Sequence, residues 1–272
     1  MVERFLEGKG ALITGAASGF GRGVGFEYAK RGADLVLVDI NEELLEKTTS
    51  EIKKERSTRV IPIVCDVSDS SQVKEMAKQA SKELENIYVL FNNAGIGVSY
   101  GRNILRVKEK DWDRIMNVNL KSQWLVGQAL AKKMKKQKFE PIAGKIIHTA
   151  SIAGMVVDPF LPSYSITKAG VIALMQLFSK TLAPKITVNS ISPGFHATGI
   201  YMEDEETMTF TMKDGKVSTP LKRIGTVEDV VRVCSFLASP NSDFITGHNF
   251  PVDGGIAEVG VPAHTFEEDY KD

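Results

Sequence analysis

The chain has 272 residues, 43% hydrophobic and 25% charged, with 34 Lys and Arg balanced by 34 Asp and Glu. This is the composition of an ordinary soluble globular protein, one large α/β domain or two small ones, and the zero net charge leaves no electrostatic case for nucleic acid or a membrane surface. Two cysteines, Cys65 and Cys234, rule out a disulfide scaffold and show no metal-ligand spacing, so they read as reduced thiols in a cytoplasm.

Ala11-Leu12-Ile13-Thr14 is a short apolar run that predicts a buried strand, with no signal segment expected ahead of it. Gly15, Gly19 and Gly21 follow. Residues 25–31 then predict a helix, with Gly32 as its stop. Residues 35–38 predict a second strand ending at Asp39, and Asn41 is placed to cap the next helix through Leu44, Leu45 and Ile52. A third strand, residues 60–64, ends at Cys65-Asp66. Asp69 or Ser70 starts an amphipathic helix through Val73, Met76, Ala77 and Ala80, and residues 87–91 predict a fourth strand. Residues 111–136 read as one long helix, followed by a strand at 145–149, a helix at 163–182, a strand at 186–191, a helix at 226–238 and a last strand near 247–252. No apolar run is long enough to span a bilayer.

Strands alternating with helices imply right-handed βαβ units. The expected fold is α/β: a single-domain Rossmann-type doubly wound fold over residues 1–257, its seven-stranded parallel sheet flanked by helices on both faces. Residues 195–222 fall outside the rhythm as a lid-like connection, with Met202, Met208, Phe210 and Met212 among the acidic residues Glu203, Asp204, Glu205 and Glu206. Residues 258–272 form a polar, acidic tail, whose last four resemble the start of an epitope tag; a native tail is the equal alternative. The basic run from Lys132 to Lys138 reads as a solvated helix end whose cations complement the helix dipole.

Between the first strand and its helix lies Thr14-Gly15-x-x-x-Gly19-x-Gly21. Glycines there permit a tight turn and let the backbone approach a pyrophosphate, while the helix N-terminus supplies N–H groups and positive potential. Gly23 and Gly25 carry the run into the helix, each costing about 1 kcal/mol relative to Ala, with close packing on the sheet as the candidate compensation. Asp39 ends the second strand, where a carboxylate accepts from an adenosine ribose and repels a 2′-phosphate. Neither Ser18 nor Ile40 supplies a compensating cation, so NAD is expected over NADP. Asp66 and Val67 are placed to meet the adenine edge. Asn92-Asn93-Ala94-Gly95 closes the fourth strand with small residues that suit a ligand-facing loop.

Tyr164 and Lys168 stand four residues apart, one turn on one helical face. A Lys ammonium beside the phenol lowers its pKa from about 10 and makes a proton donor and acceptor. A lone pair of this kind arises by chance; an exposed helical Tyr beside a solvated Lys is its other reading. Taken singly, Ser151 reads as a loop serine and Asn119 as a packed polar residue. In concert, a hydroxyl at Ser151 donates to a carbonyl oxygen, and Asn119 bends its helix and holds a water near Lys168.

These motifs, with Pro193-Gly194, Thr198 and Val252-Asp253-Gly254-Gly255, fall in the order of the short-chain dehydrogenase/reductase family, which the chain resembles over roughly residues 8–257. The resemblance implies an NAD(P)-dependent oxidoreductase, usually a homotetramer (a homodimer is the alternative), with Asn119, Ser151, Tyr164 and Lys168 as its catalytic tetrad. It also implies a cofactor site built from Gly15, Ser18, Gly19, Phe20, Gly21, Asp39, Ile40, Asp66, Val67, Asn93, Ala94, Gly95, Tyr164, Lys168, Pro193, Gly194, His196 and Thr198. Phe20 stands where the family carries an aliphatic residue, and His196 where an Ile or Val lies beside the nicotinamide. The leading expectation is an NAD-dependent enzyme interconverting a small secondary alcohol and a ketone without a metal. Its alternatives are a 3-oxoacyl-thioester reductase using NADPH and a non-catalytic dinucleotide-binding protein. Specificity is expected from Val98–Arg102, Met155–Pro162 and the 195–222 connection.

Overall fold

The structure, a computed structural model, describes residues 3–97, 103–198 and 215–260. The Val98–Arg102 stretch, most of the 195–222 connection and the tag-like tail lie outside the described residues. Seven parallel strands form one sheet: β1 (Gly10–Thr14), β2 (Asp34–Asp39), β3 (Val60–Val64), β4 (Val89–Asn92), β5 (Gly144–Thr149), β6 (Ile186–Pro193) and β7 (Asn249–Val252). They lie in the order β3-β2-β1-β4-β5-β6-β7. The chain steps outward through β1, β2 and β3, then returns to place β4 beside β1. The carboxyl ends at that switch point form the crevice where such sheets receive ligands.

Every residue of β1, β5 and β6 is buried, as expected for strands covered on both faces. Alternate side chains feed two separate cores. Ile13, Leu35 and Leu37 pack with Val24 of α1 (Gly19–Lys30), Leu45 of α2 (Glu42–Glu55) and Val230 of α7 (Val227–Ala238). Leu12, Val36 and Val38 pack with Val73 of α3 (Ser70–Glu83), Leu130 of α5 (Ser122–Met134) and Met175 of α6 (Pro162–Leu182). Helix starts follow local chemistry: Asn41 accepts from the Leu44 N–H at 3.0 Å, and Asp69 caps α3 from Ser71 N and Gln72 N.

Two expected elements differ. α1 begins at Gly19 and runs through Gly23 and Gly25. A Cβ on Gly23 would lie 2.6 Å from Val227 Cγ1, so that glycine admits a neighbouring helix, α7, and not the sheet. The long helix expected at 111–136 is interrupted. α4 (Glu109–Met116) and α5 are joined by a π turn at Asn117–Lys121. Asn119 lies in that turn, and its amide is drawn onto the backbone of Ile96 by two hydrogen bonds, 2.8 Å at Oδ1 and 2.9 Å at Nδ2. One widened turn is how a helix accommodates such a pull, and these turns recur at functional sites. Among the described residues no helix is long and apolar enough to cross a membrane.

Thr14 ties the two sides of the switch point together. Its Oγ1 accepts from Asn93 N at 2.9 Å and Ala94 N at 3.0 Å, while Asn93 Nδ2 donates to the Thr14 carbonyl at 3.1 Å. Thr14→Val keeps the shape and removes that acceptor, stranding two backbone donors. Urea unfolding should show a loss of about 2 kcal/mol, most of it restored in Thr14→Ser. Equal stability of the Val variant would show that water satisfies those donors.

Candidate active site

A cleft of about 490 Å³ opens along the carboxyl ends of the strands. Of the residues singled out in the sequence as candidates, all but Gly21 and Asn119 line it. The structure therefore brings together side chains drawn from six strand ends and the starts of α1 and α6.

One end is shaped for an anion and a sugar. Gly15 and Gly19 have φ of +66° and +51°, the region where a side chain is strained. Gly21 lies beneath, where any Cβ would collide with the Gly15 carbonyl. Ser18, the residue before α1, makes no side-chain cap, and the helix has no acidic residue in its first turn. The positive end of α1 thus faces the cleft without a side-chain anion of its own. Asp39 closes this end: Oδ2 accepts from Ala17 N and Oδ1 from Asn41 N, both at 3.0 Å. These bonds aim the carboxylate and tie it to the glycine loop. Asp66 is held by Ser68, whose N–H and hydroxyl donate to Oδ1 at 2.9 and 2.7 Å. A dinucleotide fits this chemistry: N–H groups for the pyrophosphate, and a carboxylate for the ribose hydroxyls.

The other end holds the residues expected to handle protons. Pro162 opens α6 in the first-turn position that suits its fixed φ. Tyr164 and Lys168 follow, both buried, with the Lys168 ammonium 5.5 Å from the centroid of the phenol ring. Lys168 Nζ donates to the Thr149 carbonyl at 2.9 Å, and burial lowers its pKa to about 8. Ser151 Oγ accepts from Ala153 N at 3.2 Å and lies 3.5 Å from the Pro193 carbonyl, capping the short turn Ile152–Gly154. That turn presses on α6 at Lys168, because Gly154 has no Cβ to meet the Lys168 and Ala169 backbone. A Cβ on Gly95 would stand 3.3 Å from Asn119 Oδ1 and 3.7 Å from Lys168 Nζ, so Asn119 and Lys168 meet at that glycine.

Asn119 is fully buried, and its amide engages Ile96 at both ends. It clamps the loop after β4 beside Lys168 and does not itself line the cleft. The two residues that depart from the family pattern touch each other. Phe20 and His196 pack edge to face, 5.3 Å between centroids at 86°. His196 is buried, with Nδ1 on the Gly194 carbonyl at 3.1 Å and its ring against Gly225. Burial lowers its pKa, opposed by the Gly194 bond.

Thr149, Gly154 and Arg114 belong to the site and were not singled out by sequence reasoning. Thr149 acts on Lys168 through its main-chain carbonyl, which no residue type announces. Gly154 could have been found only from the close approach it permits. Arg114 lines the cleft as an exposed cation on α4.

This sheet, with its crevice at the switch point and a Tyr-x-x-x-Lys pair at the head of α6, defines a dinucleotide-dependent oxidoreductase, and the chain belongs to the short-chain dehydrogenase/reductase family. A family model described as enoyl-(acyl carrier protein) reductase matches residues 15–257. The 3-oxoacyl-(acyl-carrier-protein) reductase of Thermotoga maritima is 37% identical over 253 residues, covering 92% of this chain and 98% of that protein. A short-chain type dehydrogenase/reductase from Mycobacterium marinum superposes with TM-score 0.85 at 33% identity, over 93% of this chain and 96% of that one. The 3-ketoacyl-(acyl-carrier-protein) reductase of Brucella melitensis, solved with NADH, gives TM-score 0.83 at 31% identity, over 93% and 99%.

The Phe20–His196 contact bridges the glycine loop and the Pro193-Gly194 loop. A double-mutant cycle with Phe20→Ile and His196→Ile, read by urea unfolding, should give a favourable coupling of about 1 kcal/mol. Additive losses would show that the two loops are held independently.

Proposed function

We propose that this protein is an NAD(H)-dependent reductase of 3-oxoacyl thioesters. The observation that carries the reaction type is that Ser151, Tyr164 and Lys168 line one cleft, with the buried Lys168 ammonium 5.5 Å from the centroid of the phenol ring. The substrate class is supported by the relatives from Thermotoga maritima and Brucella melitensis, both named as 3-oxoacyl reductases, and it displaces the simple secondary alcohol from first place. The cofactor choice is supported by the Asp39 carboxylate, by the lack of charge at Ser18 and Ile40, and by the NADH in the Brucella melitensis structure.

In this reading Ser151 and Tyr164 donate hydrogen bonds to the 3-oxo oxygen. A nicotinamide held along the Pro193-Gly194 wall would supply the hydride that the carbonyl carbon accepts. Tyr164 transfers its proton to the oxygen as charge builds there, and the Lys168 ammonium stabilises the phenolate left behind. The product is the 3-hydroxyacyl thioester; in the reverse direction Tyr164 takes the hydroxyl proton. Lys168 also holds the ribose of the cofactor, and Asn119 positions the loop that packs beside it. No metal takes part. Gly15, Gly19 and the start of α1 would hold the pyrophosphate, while Asp66 and Val67 would flank the adenine. Pro193, Gly194, His196 and Thr198 wall the nicotinamide side.

A second reading keeps the chemistry and takes a simple secondary alcohol. The exposed apolar side chains Val156, Val157 and Phe160, in the loop between Ser151 and Tyr164, are the feature that favours it, although none of them lines the cleft. A non-catalytic dinucleotide-binding role fits least, because all four tetrad residues are present. We further propose that residues 1–257 act as one cytoplasmic domain, that the 195–222 connection is its lid, and that copies assemble as a homotetramer.

The test is kcat/KM for acetoacetyl-CoA, crotonyl-CoA and a panel of simple ketones, each with NADH and NADPH. The expected order places acetoacetyl-CoA with NADH first, at least roughly tenfold above NADPH, with Asp39→Ala narrowing that ratio. Tyr164→Phe should reduce turnover by roughly a hundredfold or more. Preference for simple ketones would promote the second reading, preference for crotonyl-CoA would replace carbonyl reduction by alkene reduction, and NADPH at or above NADH would refute the role given to Asp39.

A further inference from the structure

Behind the Thr149 carbonyl lies a buried polar chain to which the proposed mechanism gives no part. Gln123 of α5 and His148 of β5 are both fully buried. Gln123 Nε2 donates to the Thr149 carbonyl at 3.2 Å, and that same oxygen accepts from Lys168 Nζ at 2.9 Å. The other end of the Gln123 amide, Oε1, lies 2.7 Å from His148 Nδ1. The main chain of Gln123 is held as well, its carbonyl accepting from Asn92 Nδ2 at 2.8 Å. The His148 ring stacks on Phe178 of α6, 5.8 Å between centroids at 20°.

The hydrogen bonds allow one polarity. The amide must turn its NH₂ towards the Thr149 carbonyl, since two oxygens would repel. Its oxygen then faces His148, so His148 Nδ1 must carry the proton and donate. Nε2 is left buried and without a partner among the described residues. A second proton would have no acceptor there, and burial lowers the ring's pKa to about 3. His148 is thus a neutral imidazole of fixed tautomer, a permanent donor and not a titrating switch.

We propose that His148 and Gln123 are positioning residues for Lys168: the imidazole fixes the amide, the amide holds the Thr149 carbonyl, and the carbonyl holds the ammonium. This rests on the role given above to Lys168. With both of its lone pairs engaged, the carbonyl oxygen is fixed between α5 and α6. Remove the Gln123 donor, or let the amide rotate, and that oxygen no longer has a defined place. Lys168 then loses the carbonyl hydrogen bond that favours its charged form against burial. A neutral or displaced amine does not stabilise the Tyr164 phenolate, so the phenol should ionise at higher pH. The other titratable groups on the cleft wall, Asp39, Cys65, Asp66, Arg114 and His196, do not touch this chain, and none contributes to the depression of the Lys168 pKa.

The test compares kcat against pH for 3-hydroxyacyl-CoA oxidation in the native enzyme and in His148→Leu, His148→Asn, Gln123→Leu and Lys168→Met. Asn places an N–H close to where Nδ1 stands; Leu does not. His148→Leu and Gln123→Leu should move the midpoint upward, in the same direction as Lys168→Met, and lower kcat at neutral pH by roughly tenfold with KM little changed. His148→Asn should return most of both. Native midpoints in both Leu variants, while Lys168→Met is shifted, would overturn the proposal and leave the role of Lys168 standing. An unshifted Lys168→Met would sink that role first. Should the Leu variants not fold, the native protein still decides by ¹⁵N NMR of His148. The expected spectrum is a neutral Nδ1–H tautomer throughout pH 5–9, and an Nε2–H tautomer would reverse the amide and refute the chain.

Discussion

A buried ammonium is the constraint on which this molecule turns. Lys168 is 3% exposed, and its charge is held against desolvation by the Thr149 carbonyl. Burial brings its pKa to about 8, close to neutrality, where an amine is still mostly charged yet poorly solvated. Such a cation exerts a strong field on a neighbour, and the neighbour on its own helix is Tyr164. A solvated Lys at the same spacing would be screened and would do little to a phenol.

The fold serves this one pair from several directions. β5 delivers the Thr149 carbonyl and, two residues on, Ser151. The turn after it lies flat on α6 because Gly154 has no side chain. Asn119 leaves the helical pattern to grip Ile96, which keeps the β4 loop and Gly95 against the ammonium. Thr14 fixes the far side of that loop to β1, and Asp39 fixes the glycine loop to β2. The anion-receptive start of α1 and the proton-handling start of α6 are therefore set by the same few strand ends. A dinucleotide that reached from one to the other would span the switch point.

Much of this was legible in the residues. Continuous apolar runs separated by helical periodicity are what a parallel sheet covered on both faces requires, and the seven strands lie where the runs predict them. Glycines, Asp39, Ser151, Tyr164 and Lys168 act through side-chain type or its lack, at spacings tied to strand ends, so they could be read. A break at Asn119 could be read from a poor helix former in mid-helix, but its π geometry could not, because it rests on a hydrogen bond to a residue 23 positions away. Nor could the Phe20–His196 contact, which joins two loops distant in sequence. The Thr149 carbonyl and the Gln123–His148 pair behind it are invisible for a different reason: main-chain acceptors carry no residue signature, and a buried Gln or His reads as ordinary core. Substrate class is not legible in the tetrad, which is indifferent to what the carbonyl is attached to; the names of the relatives, and not the site residues, shift the preference towards a 3-oxoacyl thioester.

The most direct measurement is the ionisation of Tyr164 itself, followed by ¹³Cζ-tyrosine NMR in the native protein and in Lys168→Met. The phenol should titrate well below the usual value of about 10 in the native protein and should move upward when the ammonium is removed. Superimposable titration curves would show that the buried lysine does not tune the phenol, and would contradict the coupling on which the site is built.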